Sequence, residues 1–238
     1  MLLDLPDDKL RRIKKPMKPK NSRGFTLVEI LVTITIILVL AALIFSLSSR
    51  AINSAQKAVC VTNFRGIGNS IQMYCTEHGN RLPGPLNVGQ SPLFNGASPA
   101  LTTYIADYIE DRPGLPENSR YIVPNFGCPS LTKRISSFSE INPPVVYRMA
   151  GDQAENVNGS KGFPWVWNNP AGINGAKPWR LDEIKPRSAG RVYGMIEQDQ
   201  SMGGTWTNNG ASGPAHGKQR MALYFDWSVK PVNVSEWK

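Results

Sequence analysis

The chain has 238 residues, of which 41% are hydrophobic, an ordinary share for a protein with a core and enough length for one good-sized domain plus an extra element. Its formal charge is +9, but the charge is unevenly placed: Lys9, Arg11, Arg12, Lys14, Lys15, Lys18, Lys20 and Arg23 precede Phe25, opposed only by Asp4, Asp7 and Asp8. The remainder mixes both signs without the basic stripe of a nucleic-acid binder, which argues against that class of partner.

In chain order, residues 1–24 form a basic leader. Residues 30–49 then carry no charge at all and match the roughly 20 residues a helix needs to cross a bilayer. Thr33, Thr35, Ser46, Ser48 and Ser49 are polar, but such hydroxyls bond back to the helix backbone. The segment is apolar around its whole circumference, unlike a surface helix of a soluble core. A basic run ahead of it keeps the N-terminus cytoplasmic and sends the bulk of the chain across the membrane. A secretory signal peptide would have a shorter apolar run ended by a small-residue cleavage site. Ala41-Ala42 offers one, yet the run continues through Leu43, Ile44, Phe45 and Leu47. One acid, Glu29, sits in the apolar margin. A charge there costs about 2.5–3.5 kcal/mol near the bilayer centre and less at its edge, so it needs a partner or a purpose.

Arg23-Gly24-Phe25-Thr26-Leu27-Val28-Glu29-Ile30, followed by the apolar run, resembles the prepilin peptidase site of type IV pilins and type II secretion pseudopilins. The resemblance implies cleavage after Gly24, N-methylation of the new N-terminus at Phe25, and an assembly role for Glu29. In that role the acid of one subunit pairs with the amine of the next, which relieves two poorly solvated charges together. It also implies partners: other pilin or pseudopilin subunits, the prepilin peptidase and an inner-membrane assembly platform. Met17 to Gly24 is by itself a complete short leader, so Met17 is a candidate start. Many pilins carry a proline late in the apolar segment; none occurs here between Pro19 and Pro83, so the helix is expected to be straighter than usual.

The helical period continues beyond the apolar run. Cys60, Phe64, Ile67, Ile71, Tyr74 and Cys75 recur at three- and four-residue steps and define one apolar face. Gln56, Lys57, Asn63, Arg65, Asn69 and Gln72 mostly take the remaining circumference. Gly79-Asn80 and Pro83 mark the stop. The expected organisation is therefore a leader at 1–24, a transmembrane helix at 25–49, its amphipathic continuation at 50–79 and a globular head at 80–238. In the head, Ser98-Pro99 opens a short amphipathic helix. Residues 120–126, 145–149, 191–196, 220–225 and 228–234 read as strands, the last two forming a hairpin about Asp226-Trp227. The fold class is α+β and pilin-like, a long N-terminal hydrophobic helix packed on a small antiparallel sheet.

The block from Cys60 to Gly68, continued by Met73-Tyr74 and residues 79–83, is similar to the major-pseudopilin-like group, as is Cys128-Pro129-Ser130. His216, nine residues and then Asp226 is similar to the H-X9-DG prepilin processing-associated pattern, with Trp227 in place of its glycine; a turn there lacks the easy positive-φ geometry of glycine. A continuous helix holds Cys60 and Cys75 about 22 Å apart, well beyond the roughly 7 Å between α-carbons that a disulfide allows. Cys128 can then pair with either, or all three thiols are free. The resemblance includes Cys60 and Cys128 but no counterpart of Cys75, and so implies Cys60–Cys128.

The chain shows no metalloprotease, phosphate-loop or nucleophile-elbow motif, and the expectation is a structural protein, not an enzyme. His216 and Asp226 flank one strand, roughly 30 Å apart if extended, which favours a structural role over a dyad. No cofactor is expected. Calcium at Glu197 and Asp199, beside Gly203-Gly204, is weighed against a solvated loop, which is the default. The six tryptophans, all after residue 160, read as core and loop cover before an aromatic binding surface. Three functions stay open: a subunit of a type II secretion pseudopilus, a minor pilin of a type IV pilus or related adhesion or DNA-uptake filament, and a membrane-tethered enzyme. The expected location is the inner membrane, with the head periplasmic.

Overall fold

The computed structural model describes residues 24–95, 99–109, 120–123, 125–135, 144–150, 154–166, 177–203 and 210–236. The leader before Gly24, the candidate start Met17, Ser98, Gly204 and Trp167, Trp206 and Trp237 lie outside them. The chain divides into two compact units, residues 1–48 and 49–238, and helix α1 (Leu27–Glu77) contributes to both.

In the first unit, Leu27–Phe45 is a helix long and apolar enough to cross a membrane, and none of it is buried by the protein itself. Three of the polar side chains predicted to turn back on the backbone do so. Thr33 donates to the Ile30 carbonyl and Thr35 to that of Val32, both at 2.8 Å, and Ser48 donates to Ile44 at 2.7 Å. Each hydroxyl is thereby hidden from an apolar solvent, where an unpaired one is costly.

In the second unit, the helix acquires a face. Cys60, Phe64, Ile67, Ile71 and Cys75 are all at most 1% exposed. Burying side chains of the size of Phe64, Ile67 and Ile71 stabilises by roughly 1.5–3 kcal/mol each. Asn63, expected on the polar side, is buried instead, and its amide donates to the Gly127 carbonyl at 2.8 Å. The helix ends where Gly79 and Asn80 take positive φ (64° and 63°), and the Asn80 amide closes a Schellman-type bond onto the Cys75 carbonyl at 2.7 Å.

The elements that follow are β1 (Gly89–Gln90), β2 (Leu93–Asn95), α2 (Leu101–Ile109), β3 (Arg120–Ile122), α3 (Pro129–Thr132), β4 (Tyr147–Met149), β5 (Ala154–Glu155), β6 (Lys161–Gly162), α4 (Pro186–Ala189), β7 (Tyr193–Glu197), β8 (Gln219–Tyr224) and β9 (Val229–Asn233). Five strands make an antiparallel sheet in the order β1-β4-β7-β8-β9. Met195, Met221 and Leu223 belong to the same core cluster as the α1 stripe, while Ile196, Ala222 and Val232 form a smaller cluster of their own. Period-two alternation along β7 and β8 thus separates two sets of side chains.

The strand expected at 120–126 is shorter, Arg120–Ile122, and pairs with β2 outside the main sheet. The Val123 amide leaves the ladder for the Pro92 carbonyl, and Asn125 at φ 60° turns the chain. Of the tryptophans described, Trp165 is buried, and Trp179 and Trp227 are partly buried against the core. Gly194 marks an irregularity in the β7–β8 register, and a Cβ there would come 2.9 Å from the Trp165 ring and 3.0 Å from Phe225. These two rings stack at 5.5 Å directly beside it.

The β8–β9 hairpin closes through Phe225, Asp226 and Trp227. The Trp227 amide donates to the Tyr224 carbonyl at 2.9 Å and Trp227 takes φ 64°. This is the left-handed position of a three-residue hairpin loop, usually glycine. Trp227 holds it because its ring packs against the core. Truncation to alanine removes the ring and keeps the strained backbone; glycine removes both. Trp227→Gly should therefore be more stable than Trp227→Ala by about 1 kcal/mol in chemical denaturation of the detergent-solubilised chain. Equal stabilities would show the turn to be unstrained.

Candidate functional site

At the head of α1, Gly24 has no atom within 4 Å of the place its Cβ would occupy, and Phe25 is 84% exposed. Nothing among the described residues covers the Gly24–Phe25 bond. Thr26 is the N-cap. Its backbone amide and its hydroxyl both donate to Glu29 Oε2, at 2.8 and 2.9 Å, and its hydroxyl accepts from the Glu29 amide at 3.2 Å. This is a reciprocal capping box, the Thr-x-x-Glu signature of a helix start. It gives Glu29 a local duty beside any intersubunit one: it satisfies a helix-end donor that lipid could not. The signal stands in the sequence at residues 26–29, and reading Glu29 only as an assembly acid passes over it.

In the head, the remaining candidate residues separate into three groups. Asp226 accepts from the Ser228 amide at 3.0 Å and hydroxyl at 2.5 Å, and lies 3.7 Å from Lys230 Nζ. Burial pushes its carboxyl up, but Ser228 and Lys230 outweigh this and hold it below its ordinary value. It organises the hairpin turn and has no contact with His216, which sits at the other end of β8.

Asp199 is fully buried and faces a buried cation. Arg220 Nε reaches its Oδ2 at 2.7 Å and Arg220 Nη2 its Oδ1 at 3.2 Å, while the Ser201 amide and hydroxyl also donate to Oδ1. Burial raises the Asp199 carboxyl, and Arg220 with Ser201 more than reverses it. Both oxygens are thus engaged, so a calcium ion shared with Glu197 would have to compete with Arg220. Gly203, beside them, caps a 3-10 turn with φ 70°. Arg220 carries no sequence signal for burial beyond its place in an apolar strand.

Glu197 belongs to the third group. Its Oε2 accepts from the Met221 amide at 2.8 Å, and its Oε1 lies 3.3 Å from His216 Nε2 without a hydrogen-bond partner among the described residues. Tyr147, paired across the ladder from Glu197, also has a hydroxyl without a hydrogen-bond partner among the described residues; burial and then the Glu197 charge push it well above its ordinary range. His216 Nε2 is in turn 3.5 Å from Cys128 Sγ. Cys128 forms a disulfide with Cys60, their α-carbons 4.7 Å apart and 68 residues apart in sequence. One ligand atom each of Cys60, Cys128, Glu197 and His216 lies within 4.8 Å of all the others. No local spacing announces this convergence, because its members come from α1, the start of α3, β7 and the approach to β8.

Over residues 19–45 the chain matches the family model described as the prokaryotic N-terminal methylation motif. Comparison with curated proteins and with solved structures gave no match. The motif, set on an apolar helix, supports a type IV pilin-like protein of the prepilin type and fits a single-pass inner-membrane anchor. Proteins of this motif are structural pilin subunits that assemble into filaments after processing by prepilin peptidase, not enzymes.

Two measurements test the geometry. Glutamine can replace glutamate in a capping box but carries no charge. If the charge of Glu29 serves assembly, Glu29→Gln and Glu29→Ala should both insert in the membrane and both fail to enter filaments. Normal filament yield from Glu29→Gln would reduce its role to capping. The third cysteine, Cys75, is buried, and burial pushes its thiol up to about 12. At pH 8 it should resist alkylation in the folded chain and react once on unfolding without reductant. Two or more reactive thiols under those conditions would contradict the Cys60–Cys128 bridge.

Proposed function

We propose that the chain is a pseudopilus-forming subunit of a type II secretion system, cleaved after Gly24, N-methylated at Phe25 and carrying its head on the periplasmic side. The observation that carries the reading is the methylation motif placed directly on a wholly exposed apolar helix, Leu27–Phe45. Such a surface is stable in lipid before assembly and against like helices afterwards, and in water neither before nor after. The likeness of Cys60–Gly68, Met73-Tyr74, residues 79–83 and Cys128-Pro129-Ser130 to the major-pseudopilin-like group is the ground for placing secretion first; a minor pilin shares the same residues, so the choice between them falls to experiment. Its partners are then other subunits of the same kind, the prepilin peptidase and the assembly platform.

Mass spectrometry of membrane-derived protein should find Phe25 as the N-terminus, heavier by one methyl group, and deletion of the gene should block enzyme secretion. Loss of surface filaments with secretion intact would assign the chain to a type IV pilus or a related filament instead. An N-terminus near Ala41-Ala42 would remove the prepilin reading altogether.

A further inference from the structure

We propose that Cys60, Cys128, His216 and Glu197 form a redox-controlled zinc site, closed by the disulfide in the oxidised chain and available to a divalent zinc-like ion when the two sulfurs are thiols. Three observations carry it. First, the donor set is two sulfurs, one imidazole nitrogen and one carboxylate oxygen, a combination suited to a tetrahedral zinc-like ion. Second, the donor atoms already converge, all within 4.8 Å of one another, with His216 Nε2 at 3.3 Å from Glu197 Oε1 and 3.5 Å from Cys128 Sγ. A tetrahedral zinc ion needs sulfurs about 3.8 Å apart for bonds near 2.3 Å, a change that rotation about the cysteine Cα–Cβ bonds supplies once the S–S bond is open. Third, Glu197 is 0% exposed and its Oε1 has no hydrogen-bond partner among the described residues. Its close polar neighbour, His216 Nε2 at 3.3 Å, makes no hydrogen bond of good geometry to it, and a metal ion held by both would supply one. The other oxygen is already fixed by the Met221 amide at 2.8 Å, the kind of outer contact that orients a metal-bound carboxylate.

A dithiol reductant gives two electrons and two protons to the Cys60–Cys128 bond and becomes a disulfide itself. The ion then displaces those two protons to solvent and is held by two thiolates, the Glu197 carboxylate and the His216 Nε2 lone pair. A newly made chain whose thiols have not yet been oxidised reaches the same state without the reductant. Four protein donors leave no open position, so the site is structural and not catalytic. Cys60 and Cys128 are both fully buried, so the two states exchange slowly in the folded chain and the ion is loaded before the bridge closes. The site is the same whichever filament the chain enters.

Cobalt(II) serves as the probe, added to the full chain in detergent, once reduced and once oxidised. The reduced chain should bind one equivalent, with thiolate-to-cobalt charge-transfer absorption and the intense visible bands of tetrahedral coordination, and one equivalent of zinc should displace it. The oxidised chain should show neither band. Cys75→Ala should leave the reduced spectrum unchanged, and His216→Ala should weaken binding by 10-fold or more. If reduction alone abolishes the near-UV circular dichroism of the tryptophans, one equivalent of zinc should restore it, and failure to do so overturns the proposal. A reduced chain that keeps its fold but shows no thiolate band, or only the weak bands of octahedral oxygen coordination, overturns it equally.

Discussion

The apolar stripe of Cys60, Phe64, Ile67, Ile71 and Cys75 is the surface on which the head is laid down. These side chains share one core cluster with Tyr147, Met195, Met221 and Leu223 of the sheet and with Leu101 and Ile105 of α2. Phe64 meets Tyr147 with ring centroids 4.7 Å apart, and Gly68 lets Leu223 approach to 3.2 Å of where a Cβ would stand. A sheet whose strands run from two to six residues has little independent stability, so the helix supplies much of the apolar area that holds it. The same helix is bound to the start of α3 by the Cys60–Cys128 bridge and by the Asn63–Gly127 hydrogen bond. In the chain-entropy view, closing a loop of this length limits the unfolded state by about 4 kcal/mol.

The polar interior of the head follows from the same economy of area. Glu197 ends β7 and Asp199 follows it two residues later, and each acid is answered separately. Asp199 has a full cation in Arg220 and a hydroxyl in Ser201, whereas Glu197 has one amide and an imidazole. Buried charge without such partners would cost several kcal/mol. The asymmetry between them sets Asp199 apart as a finished structural pair and leaves Glu197 with capacity to spare.

Much of the fold is legible in the sequence because its signals are local. The uncharged run at 30–49, the three- and four-residue recurrence after Cys60, the Gly79-Asn80 stop and the hairpin about Asp226 each depend on neighbours in the chain. The expected strands at 145–149, 191–196, 220–225 and 228–234 all appear, shifted by one or two residues at their ends. What the sequence conceals is set by partners far along the chain. Asn63 reads as a surface residue until the Gly127 carbonyl is brought to it. Arg220 reads as a strand cation until Asp199 lies beside it. His216 invites comparison with Asp226, nine intervening residues away, while its neighbours in space are Cys128 and Glu197, reached only through tertiary folding.

The bridge between Cys60 and Cys128 also makes a covalent ring out of the segment that contains the last turns of α1, β1, β2, α2 and β3. A single cut in the backbone anywhere within that ring frees no fragment: the two pieces stay joined through sulfur and through the shared core. Damage from a protease would therefore leave the head's mass and anchorage intact in an oxidising medium, and would release a piece only after reduction. The part of the chain that feeds the sheet from the helix is in this sense tolerant of nicking, while the β7–β8–β9 portion, which lies after Cys128, has no such protection.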